Sequence, residues 1–500
     1  MSVLAIDAGT TGVTALIVTD AGTVVGRGYS EFQQYFPQPG WVEHLPEGIW
    51  QATLVACADA LAGAGSPAIA AVGITNQRET AVIWDRATLA APRRAIVWQD
   101  RRTAAICARM QAAGTEPRVA ALTGLRLDPY FTATKLTWLA ENEPAVWAGV
   151  SDGSLAVGTV DSYLIARMTG GRRHVCDASN ASRTLLFDLE SGQWSAELCS
   201  LFGVPPHALP EVVPSTGVAG HTDPTVFLGL AAPIAGIAGD QQAALFGQVC
   251  FEPGAAKCTY GTGSFVLVNT GERVVRSDAG LLSTVAWLDS SGSLTYALEG
   301  SVFVTGAAIQ WLRDGLRLLD SAAESESVAR TVPDSGGVVF VPALTGLGAP
   351  YWDPAARGAM FGLTRGTTAA HLIRAALEAI AFEVRDVIDV MTAELAALSG
   401  ETAGGETAGA LRADGGASTN DLLMQLQADQ VQRPVERPVV AETTALGAAF
   451  LAGLGTGIWS TTAELAATWK LDKRFTPGAC DNAAHARWRS AVEQTKGWAG

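Results

Sequence analysis

The chain begins with two short apolar runs on either side of a polar turn. Val3–Ile6 and Ala15–Val18 are rich in Val, Ile and Leu, which is typical of strands, and the Asp, Gly and Thr residues between them are typical of a tight turn. Trp50–Leu61 is rich in alanine with helical spacing, and Ala71–Thr75 has the pattern of a buried strand. This alternation of strands and helices predicts an α/β protein.

The middle of the chain repeats the opening pattern. Pro129–Glu141 is predicted to be a helix with a proline in its first turn. Ala232–Gln248 is predicted to be a strand, a Gly-Asp turn and the start of a helix, and Ala255–Thr270 a second strand–turn–strand built on Gly and Thr. A duplicated two-domain fold with a ligand between its halves produces this pattern, and two unrelated turns also do. We place the domain boundary near Gln248, which gives domains 1–248 and 249–500.

The second half continues the alternation. Leu298–Leu316 is predicted to pass from an extended segment into a helix, Val338–Gly366 to be a strand with a long Gly/Pro-rich loop, and His371–Glu394 to be a helix. Ser399–Leu411 repeats itself over a few residues and is predicted to be a solvated loop of low complexity.

Composition excludes several classes of protein. With 48% hydrophobic and 17% charged residues over a length of 500, the chain has the composition of a folded protein. The longest apolar stretch, Val226–Gly239, is interrupted by Pro233 and is too short to span a bilayer. The N-terminus lacks the pattern of a secretory signal, so we expect a cytoplasmic protein without membrane insertion. The seven cysteines form no Cys-x-x-Cys pair, which indicates neither a disulfide framework nor a zinc site.

The net charge of −15 argues against a nucleic-acid partner, which needs clustered Lys and Arg. A phosphorylated ligand would therefore require a small, local positive site or a divalent metal ion.

The opening turn has the residues of a phosphate-binding loop. Asp7 follows a strand, and Gly9 to Gly12, with Thr10 and Thr11 between them, offer backbone N–H groups and hydroxyls unobstructed by bulky side chains. Such a turn can surround phosphate oxygens, while a carboxylate at the end of a strand can hold Mg²⁺. An ordinary hairpin turn explains the same residues.

Polar residues also interrupt two later apolar segments. Asn76, Gln77, Arg78 and Glu79 lie between apolar runs, so they line a cavity that suits a ligand with several hydroxyls, or form the solvated tip of a hairpin. Trp98 follows another apolar run, where its ring covers the carbon side of a polyol or belongs to the core.

Two strand ends carry further candidates. Asp240 follows an apolar strand and starts a helix, which suggests a general base with Gln241 beside it, or a helix N-cap. Leu411–Asp429 contains a strand end, Asp-Gly-Gly and a helix beginning near Asn420, where glycine lets the backbone approach a ligand or simply forms a turn. The chain contains neither the Walker nor the dinucleotide glycine pattern.

A dozen segments in order resemble the FGGY family of carbohydrate kinases over nearly the whole chain. They are DAGTTG, PGWVEH, GITNQRET, VWQDRRT, DPYFTATK, GTVDSYLI, NASRTLLF, GIAGDQQAALFGQ, TYGTGSF, YALEGSVF, GLGAPYWDPAARGAMFGLTRG and DGGASTN. The resemblance implies an α/β, two-domain actin-like ATPase fold, which is ribonuclease H-like and has a catalytic cleft between its domains.

The resemblance further implies ATP-dependent phosphorylation of glycerol to sn-glycerol 3-phosphate, with Mg²⁺. It makes Asp240 the general base and Asp7 the residue near Mg²⁺. The residues that match the substrate site are Arg78, Glu79, Trp98, Tyr130, Asp240, Gln241 and Phe265. The residues that match the nucleotide site are Thr10, Thr11, Gly12, Thr262, Gly306, Gln310, Gly416 and Asn420. A homodimer or homotetramer is implied as well.

Two departures from the family pattern bear on turnover and regulation. Similar members read Asp-Gln-Gly-Thr-Thr-Ser-Ser-Arg in the first loop, whereas this chain has Thr14 at the position of the Arg, which removes a cation from the phosphates. The stretch His221–Pro233 lacks the basic loop by which some bacterial members bind fructose 1,6-bisphosphate, so we expect that control to be absent. The alternatives are an FGGY kinase of another small polyol or ketose, a weakly active polyol-binding regulatory homologue, and an actin-like ATPase without a polyol site.

Overall fold

The structure, a computed structural model, describes residues 1–399 and 409–499. The predicted low-complexity loop, Ser399–Leu411, therefore lies mostly outside the described residues.

Two large sheets and the helices around them make up the described chain. Its strands are β1 (Ser2–Ala8), β2 (Gly12–Thr19), β3 (Val24–Glu31), β4 (Gln34–Tyr35), β5 (Glu43–His44), β6 (Ile69–Asn76), β7 (Val82–Asp85), β8 (Ala95–Ile96), β9 (Leu155–Gly158), β10 (Val175–Asp177), β11 (Phe187–Asp188), β12 (Gln193–Trp194), β13 (Glu211–Val213), β14 (Thr216–His221), β15 (Pro233–Gly239), β16 (Ala256–Tyr260), β17 (Ser264–Gly271), β18 (Leu282–Leu288), β19 (Leu294–Val302), β20 (Val339–Val341), β21 (Ala359–Phe361), β22 (Leu411–Asp414), β23 (Val435–Pro438) and β24 (Leu471–Phe475).

The helices are α1 (Pro46–Gly63), α2 (Ala104–Ala112), α3 (Glu116–Thr123), α4 (Thr132–Asn142), α5 (Pro144–Asp152), α6 (Val160–Met168), α7 (Ala178–Ala181), α8 (Ala196–Phe202), α9 (Asp240–Gly247), α10 (Gly306–Asp314), α11 (Ser325–Ala329), α12 (Ala369–Ser399), α13 (Asp421–Val431), α14 (Thr443–Gly455), α15 (Thr462–Thr468) and α16 (Asn482–Thr495). Short 3₁₀ turns occupy Pro206–Ala208, Ala322–Glu324 and Gly416–Thr419.

The two large sheets share one strand order. The first runs β14-β15-β6-β1-β2-β3, with β1, β6 and β15 parallel and β2 and β3 antiparallel. The second runs β18-β19-β17-β16-β22-β23-β24, with β16, β22 and β23 parallel and β17 and β19 antiparallel. The two sheets share a five-strand part, in which the first strand has an antiparallel pair of strands on one side and two parallel strands on the other; β14 in the first sheet and β18 and β24 in the second are additional edge strands. This repeated order is the duplicated, ribonuclease H-like arrangement of actin-like ATPases, as expected.

Most predicted elements are confirmed, with longer bounds. Both hairpins, β1–β2 and β16–β17, are present, and the predicted strand–helix unit near Asp240 is β15 and α9. The predicted helix start at Pro129 is wrong, because α4 begins at Thr132. The buried ammonium group of Lys135 donates to the carbonyl oxygens of Pro129, Tyr130 and Phe131, and these bonds hold the preceding residues in a turn.

Helix α14 connects the two halves of the molecule. It lies in the second half of the chain, yet Ala448 and Phe450 share a core cluster with Val3 and Ala5 of β1. The alternate residues of β1, Leu4 and Ile6, pack on the opposite face with α1, so the first sheet is buried on both faces. The domain boundary near Gln248 stays a prediction.

Glycines allow α14 to approach the first half closely. A Cβ added at Gly447 would lie 1.8 Å from the carbonyl oxygen of Ala243 in α9, and one added at Gly73 would lie 2.1 Å from that of Ala448. These distances leave no space for a methyl group, so backbone packs directly against backbone here.

No helix among the described residues is both long and apolar enough to cross a membrane.

We predict that Gly447→Ala destabilises the protein, although alanine is the better helix former. The added methyl group has to push α14 away from α9, and such overpacking costs about 1–3 kcal/mol. Thermal unfolding of the variant and the parent measures the loss. Gly63→Ala is the matched control, since a Cβ there meets nothing within 4 Å, and it should melt at or slightly above the parent temperature. Equal melting of Gly447→Ala and the parent would contradict the close approach.

Candidate active site

A strained turn after β6 presents Arg78 and Glu79. The Thr80 amide donates to the carbonyl oxygen of Arg78 at 2.7 Å, which closes a three-residue turn with Glu79 at a φ of +60°. The two side chains are 2% and 1% exposed, so the solvated-tip interpretation is wrong. Positive φ at a non-glycine residue is a form of strain that is often found at functional sites.

The guanidinium group of Arg78 lies close to three other predicted substrate residues, Asp240, Tyr130 and Phe265. Its Nε lies 3.1 Å from an Asp240 carboxylate oxygen, and its Nη2 donates to the Tyr130 hydroxyl at 3.3 Å. The Phe265 ring lies on one side, with its centroid 6.0 Å from the Arg78 Cζ, and the Trp98 ring packs edge-on against Tyr130 at 5.6 Å.

Asp240 and Gln241 begin α9. The N-cap of this helix is Gly239, so the interpretation of Asp240 as an N-cap is wrong. The Asp240 side chain is 29% exposed, and one of its oxygens accepts from the Gln241 amide at 2.7 Å. Burial raises the pKa of Asp240, while the charges of Arg78 and Lys257 act against this increase. The Gln241 side chain is held by Lys257, whose ammonium donates to its Oε1.

The first loop, Gly9 to Gly12, is hydrogen-bonded to side chains beside this pocket. The Gly9 amide donates to the Gly12 carbonyl at 3.0 Å and closes the β1–β2 turn. Gln77 Nε2 donates to the Gly9 carbonyl, and Trp98 Nε1 donates to Thr10 Oγ1, both at 3.0 Å. Thr11 is exposed beside them, and Gly12 has no space for a Cβ, which would lie 2.8 Å from the Ser30 carbonyl oxygen.

The second loop, Gly261 to Gly263 between β16 and β17, is hydrogen-bonded to the start of α10. The Thr262 carbonyl accepts from the amides of Thr305 and Ala307 at 2.8 and 3.1 Å, and the Gly306 amide donates to the Gly261 carbonyl at 3.0 Å. Gly306 must be glycine, because a Cβ there would lie 2.7 Å from the Gly261 oxygen.

Gln310 follows one turn later in α10, on the exposed surface of the helix.

A third segment, Gly415 to Asn420, begins in close contact with Tyr260 at the end of β16. Gly415 has a φ of +84°, and a Cβ there would lie 2.6 Å from the Tyr260 carbonyl oxygen. Gly416 is exposed and faces open space. The Asn420 side chain caps α13 by accepting from the Leu423 amide at 2.9 Å, so this predicted nucleotide residue also has a structural role.

Asp7 lies near the end of β1, just before the first loop, and close enough to Asp240 for the two charges to interact. Burial raises its pKa to about 7, with a contribution from the nearby charge of Asp240. Among the described residues no three acidic, His or Cys side chains form a metal-binding cluster. One half-buried carboxylate fits Mg²⁺ that is held mainly by nucleotide phosphates and water, which is how this ion usually binds in kinases.

Thr14 lies beside Asp7 in the register of the first sheet. It pairs with Asp7 on one side and with Tyr29 of β3 on the other. Arg27, two residues before Tyr29, is therefore on the same face of β3, and it pairs with Glu442 at 2.9 Å. Arg27 is thus paired with Glu442, and β2 itself carries no cation.

Three buried charged residues in contact with the predicted site residues were not themselves predicted: Arg183, Lys257 and Glu299. Arg183 donates to Glu79 at 2.7 Å and to Glu299 at 2.9 Å, and Glu299 also accepts two bonds from Arg78. Lys257 and Glu299 each stand as a single charge in an apolar strand, a signal that the sequence contains.

Comparison with known proteins agrees with this geometry. Residues 2–247 match the model of the FGGY family of carbohydrate kinases, N-terminal domain, and residues 256–456 match that of its C-terminal domain. The chain is 53% identical to a glycerol kinase from Symbiobacterium thermophilum and 54% identical to one from Aromatoleum aromaticum, with 99% of each chain covered. A crystal structure of Plasmodium falciparum glycerol kinase with ADP is similar at a TM-score of 0.89 and 34% identity, over 99% of this chain and 98% of that one.

The fold is that of the actin-like ATPase class. Within that class, the chain belongs to the FGGY family of carbohydrate kinases.

We predict that Asp7→Asn stabilises the ligand-free protein at high pH. Because the folded pKa of about 7 lies above the ordinary value of 3.8, the folded state loses stability as the pH rises between these two values. Above pH 7 the variant should exceed the parent by about 2 kcal/mol, allowing for the partial exposure of the carboxylate, and the difference should shrink towards pH 4.

Denaturant unfolding between pH 4 and pH 8, without nucleotide or Mg²⁺, measures this difference. Asp85→Asn is the control, because the Thr88 amide and hydroxyl lower the pKa of Asp85 and its variant should not gain stability with pH. A pH-independent difference for Asp7→Asn would show that the carboxylate is not held in an unfavourable environment.

Proposed function

We propose that the protein catalyses the ATP-dependent phosphorylation of glycerol to sn-glycerol 3-phosphate, with Asp240 as the general base. One observation carries this proposal: Glu79, Tyr130 and Asp240 lie together around Arg78. Trp98 at the edge of this group is hydrogen-bonded to Thr10 of the first, glycine-containing loop. The identity of 53–54% over the whole length of two glycerol kinases supports glycerol as the substrate.

The pocket can bind a triol and activate one of its hydroxyls. Arg78 and Glu79 supply donors and an acceptor for hydroxyl groups, and Trp98 and Phe265 supply apolar walls. Asp240 takes the proton from the attacking oxygen. Its pKa is raised by burial, which makes it a better proton acceptor than an exposed aspartate.

The nucleotide lies across the three glycine-containing segments. The first loop, with Thr10, Thr11 and Gly12, and the second, with Thr262, offer backbone donors to the phosphates. Gly306, Gln310, Gly416 and Asn420 line the rest of the nucleotide site. Phosphoryl transfer depends mainly on positioning and on stabilisation of charge, and these segments provide both.

Mg²⁺ would be held by the phosphates, with Asp7 near it, and would neutralise charge on the phosphate oxygens. The raised pKa of Asp7 fits this role, since a cation beside it favours its charged form.

We also propose a cytoplasmic homodimer or homotetramer, on the basis of the family resemblance. Sedimentation of the purified protein tests the state of assembly.

We predict glycerol-dependent ATP consumption that is lost in Asp240→Asn. General-base catalysis contributes on the order of 10²- to 10⁴-fold, so kcat should fall by this factor while glycerol still binds. The assay measures ADP release with Mg²⁺, with and without glycerol, and calorimetry measures glycerol binding. Glycerol binding without turnover in the parent would instead favour a regulatory polyol-binding homologue, and turnover only with a larger polyol or a ketose would favour another FGGY kinase.

We predict that Thr14→Arg increases kcat. An arginine beside Asp7 would add positive charge near the transferring phosphoryl group, and a donor placed there changes kcat by about tenfold or more. Steady-state kinetics with saturating ATP and glycerol measure the change, with Thr14→Gln as the uncharged control of intermediate length. Equal kcat values for Thr14→Arg and Thr14→Gln would show that charge at this position does not limit the reaction.

A further inference from the structure

We propose that Arg183 and Glu299 are positioning residues that hold the polyol pocket together across the two halves of the molecule. This inference rests on the proposed function, because it concerns the same pocket. It assigns glycerol affinity to a contact between the halves as well as to the residues that line the pocket.

Arg183 connects Glu79 to Glu299. It follows α7, is fully buried, and donates through Nε to Glu79 at 2.7 Å and through Nη2 to Glu299 at 2.9 Å. A planar guanidinium group can bridge two carboxylates in this way, which a lysine cannot do in the same geometry. The rings of Tyr130 and Phe131 lie 5.7 and 5.4 Å from its Cζ, so the group is enclosed on its faces too.

Glu299 fixes Arg78 from the other half. It lies on β19 of the second sheet and binds both terminal nitrogens of Arg78, the longer bond being 3.1 Å. Although burial alone would raise the pKa of Glu299, Arg183 and Arg78 lower it to about 2, so the group is charged. With this two-point bond in place, the Nε of Arg78 lies 3.1 Å from an Asp240 carboxylate oxygen.

Each half contributes equal numbers of positive and negative charges, but both arginines depend on contacts with Glu299 across the halves. Arg78, Arg183, Glu79 and Asp240 come from the first half and Lys257 and Glu299 from the second. Without Glu299, two adjacent buried arginines would share Glu79 and Asp240, and Arg78 would move towards these two groups. Both are residues of the pocket, so we expect loss of Glu299 to alter polyol binding directly.

The test compares Glu299→Gln with the parent. The KM for glycerol and the dissociation constant for glycerol without nucleotide should both rise by roughly tenfold or more, the change expected from losing a hydrogen bond to a charged group. The KM for ATP should change much less. The calorimetric measurement does not depend on turnover, so it distinguishes failure of this inference from failure of the proposed kinase activity.

Glu190→Gln is the matched control. Glu190 and Arg276 also form a Glu–Arg pair between the two halves, at 2.9 Å, but on the exposed surface and away from the pocket. This variant should keep the parent values of both constants, because exposed ion pairs contribute little.

Glu299→Gln alone leaves an unpaired buried charge and can fail to fold. Arg183→Gln with Glu299→Gln removes one charge of each sign, so the double variant should fold and should still bind glycerol about as weakly as the single variant. Parent-like glycerol binding by the folded double variant would overturn the inference. Equal losses for glycerol and ATP would overturn it as well, since they indicate a general structural role.

Discussion

Two arginine side chains, Arg78 and Arg183, lie close together in the interior, and the arrangement of the site follows from their need for opposite charge. Neither is more than 2% exposed. Removing such charges from water is strongly unfavourable unless carboxylates with good hydrogen-bond geometry surround them. Glu79 and Glu299 meet that requirement, and Glu299 does so from the second sheet. The proposed polyol pocket is therefore complete only where the two halves meet.

The acidic character of the protein adds a second electrostatic constraint. The net charge of −15 disfavours a nucleotide in general, and Asp7 and Asp240 add negative charge where the phosphates are proposed to lie. In the ligand-free protein burial, with a smaller contribution from the charge of Asp240, raises the pKa of Asp7 and so disfavours its charged form. In the proposed function a divalent cation would arrive with the nucleotide and favour the charged form of Asp7, so the carboxylate that destabilises the free site would favour the loaded one.

Local features of the site could be predicted from the sequence, and contacts between distant segments could not. The two glycine-rich hairpins and the strand–helix unit at Asp240 follow from patterns within about 15 residues. The partners of Arg78 do not, because Glu299 is 221 residues away along the chain. Pairing with a buried carboxylate so far away depends on how the sheets pack. The predicted start of α4 is wrong for a different, local reason: the ammonium group of Lys135 binds the carbonyls before the helix, which overrides the preference of Pro129 for a first turn.

If the first loop binds phosphates as we propose, its hydrogen bonds explain how an uncharged Thr14 is compatible with phosphoryl transfer. Gln77 bonds to Gly9 and Trp98 to Thr10, so the loop is held in place without a ligand. Fixed dipoles stabilise developing charge without reorganisation at the moment of reaction. Such a loop would supply part of the stabilisation, so turnover is compatible with Thr14 while an added cation would still increase its rate. Since Trp98 is also a wall of the proposed polyol pocket, one side chain would position both the loop and the polyol.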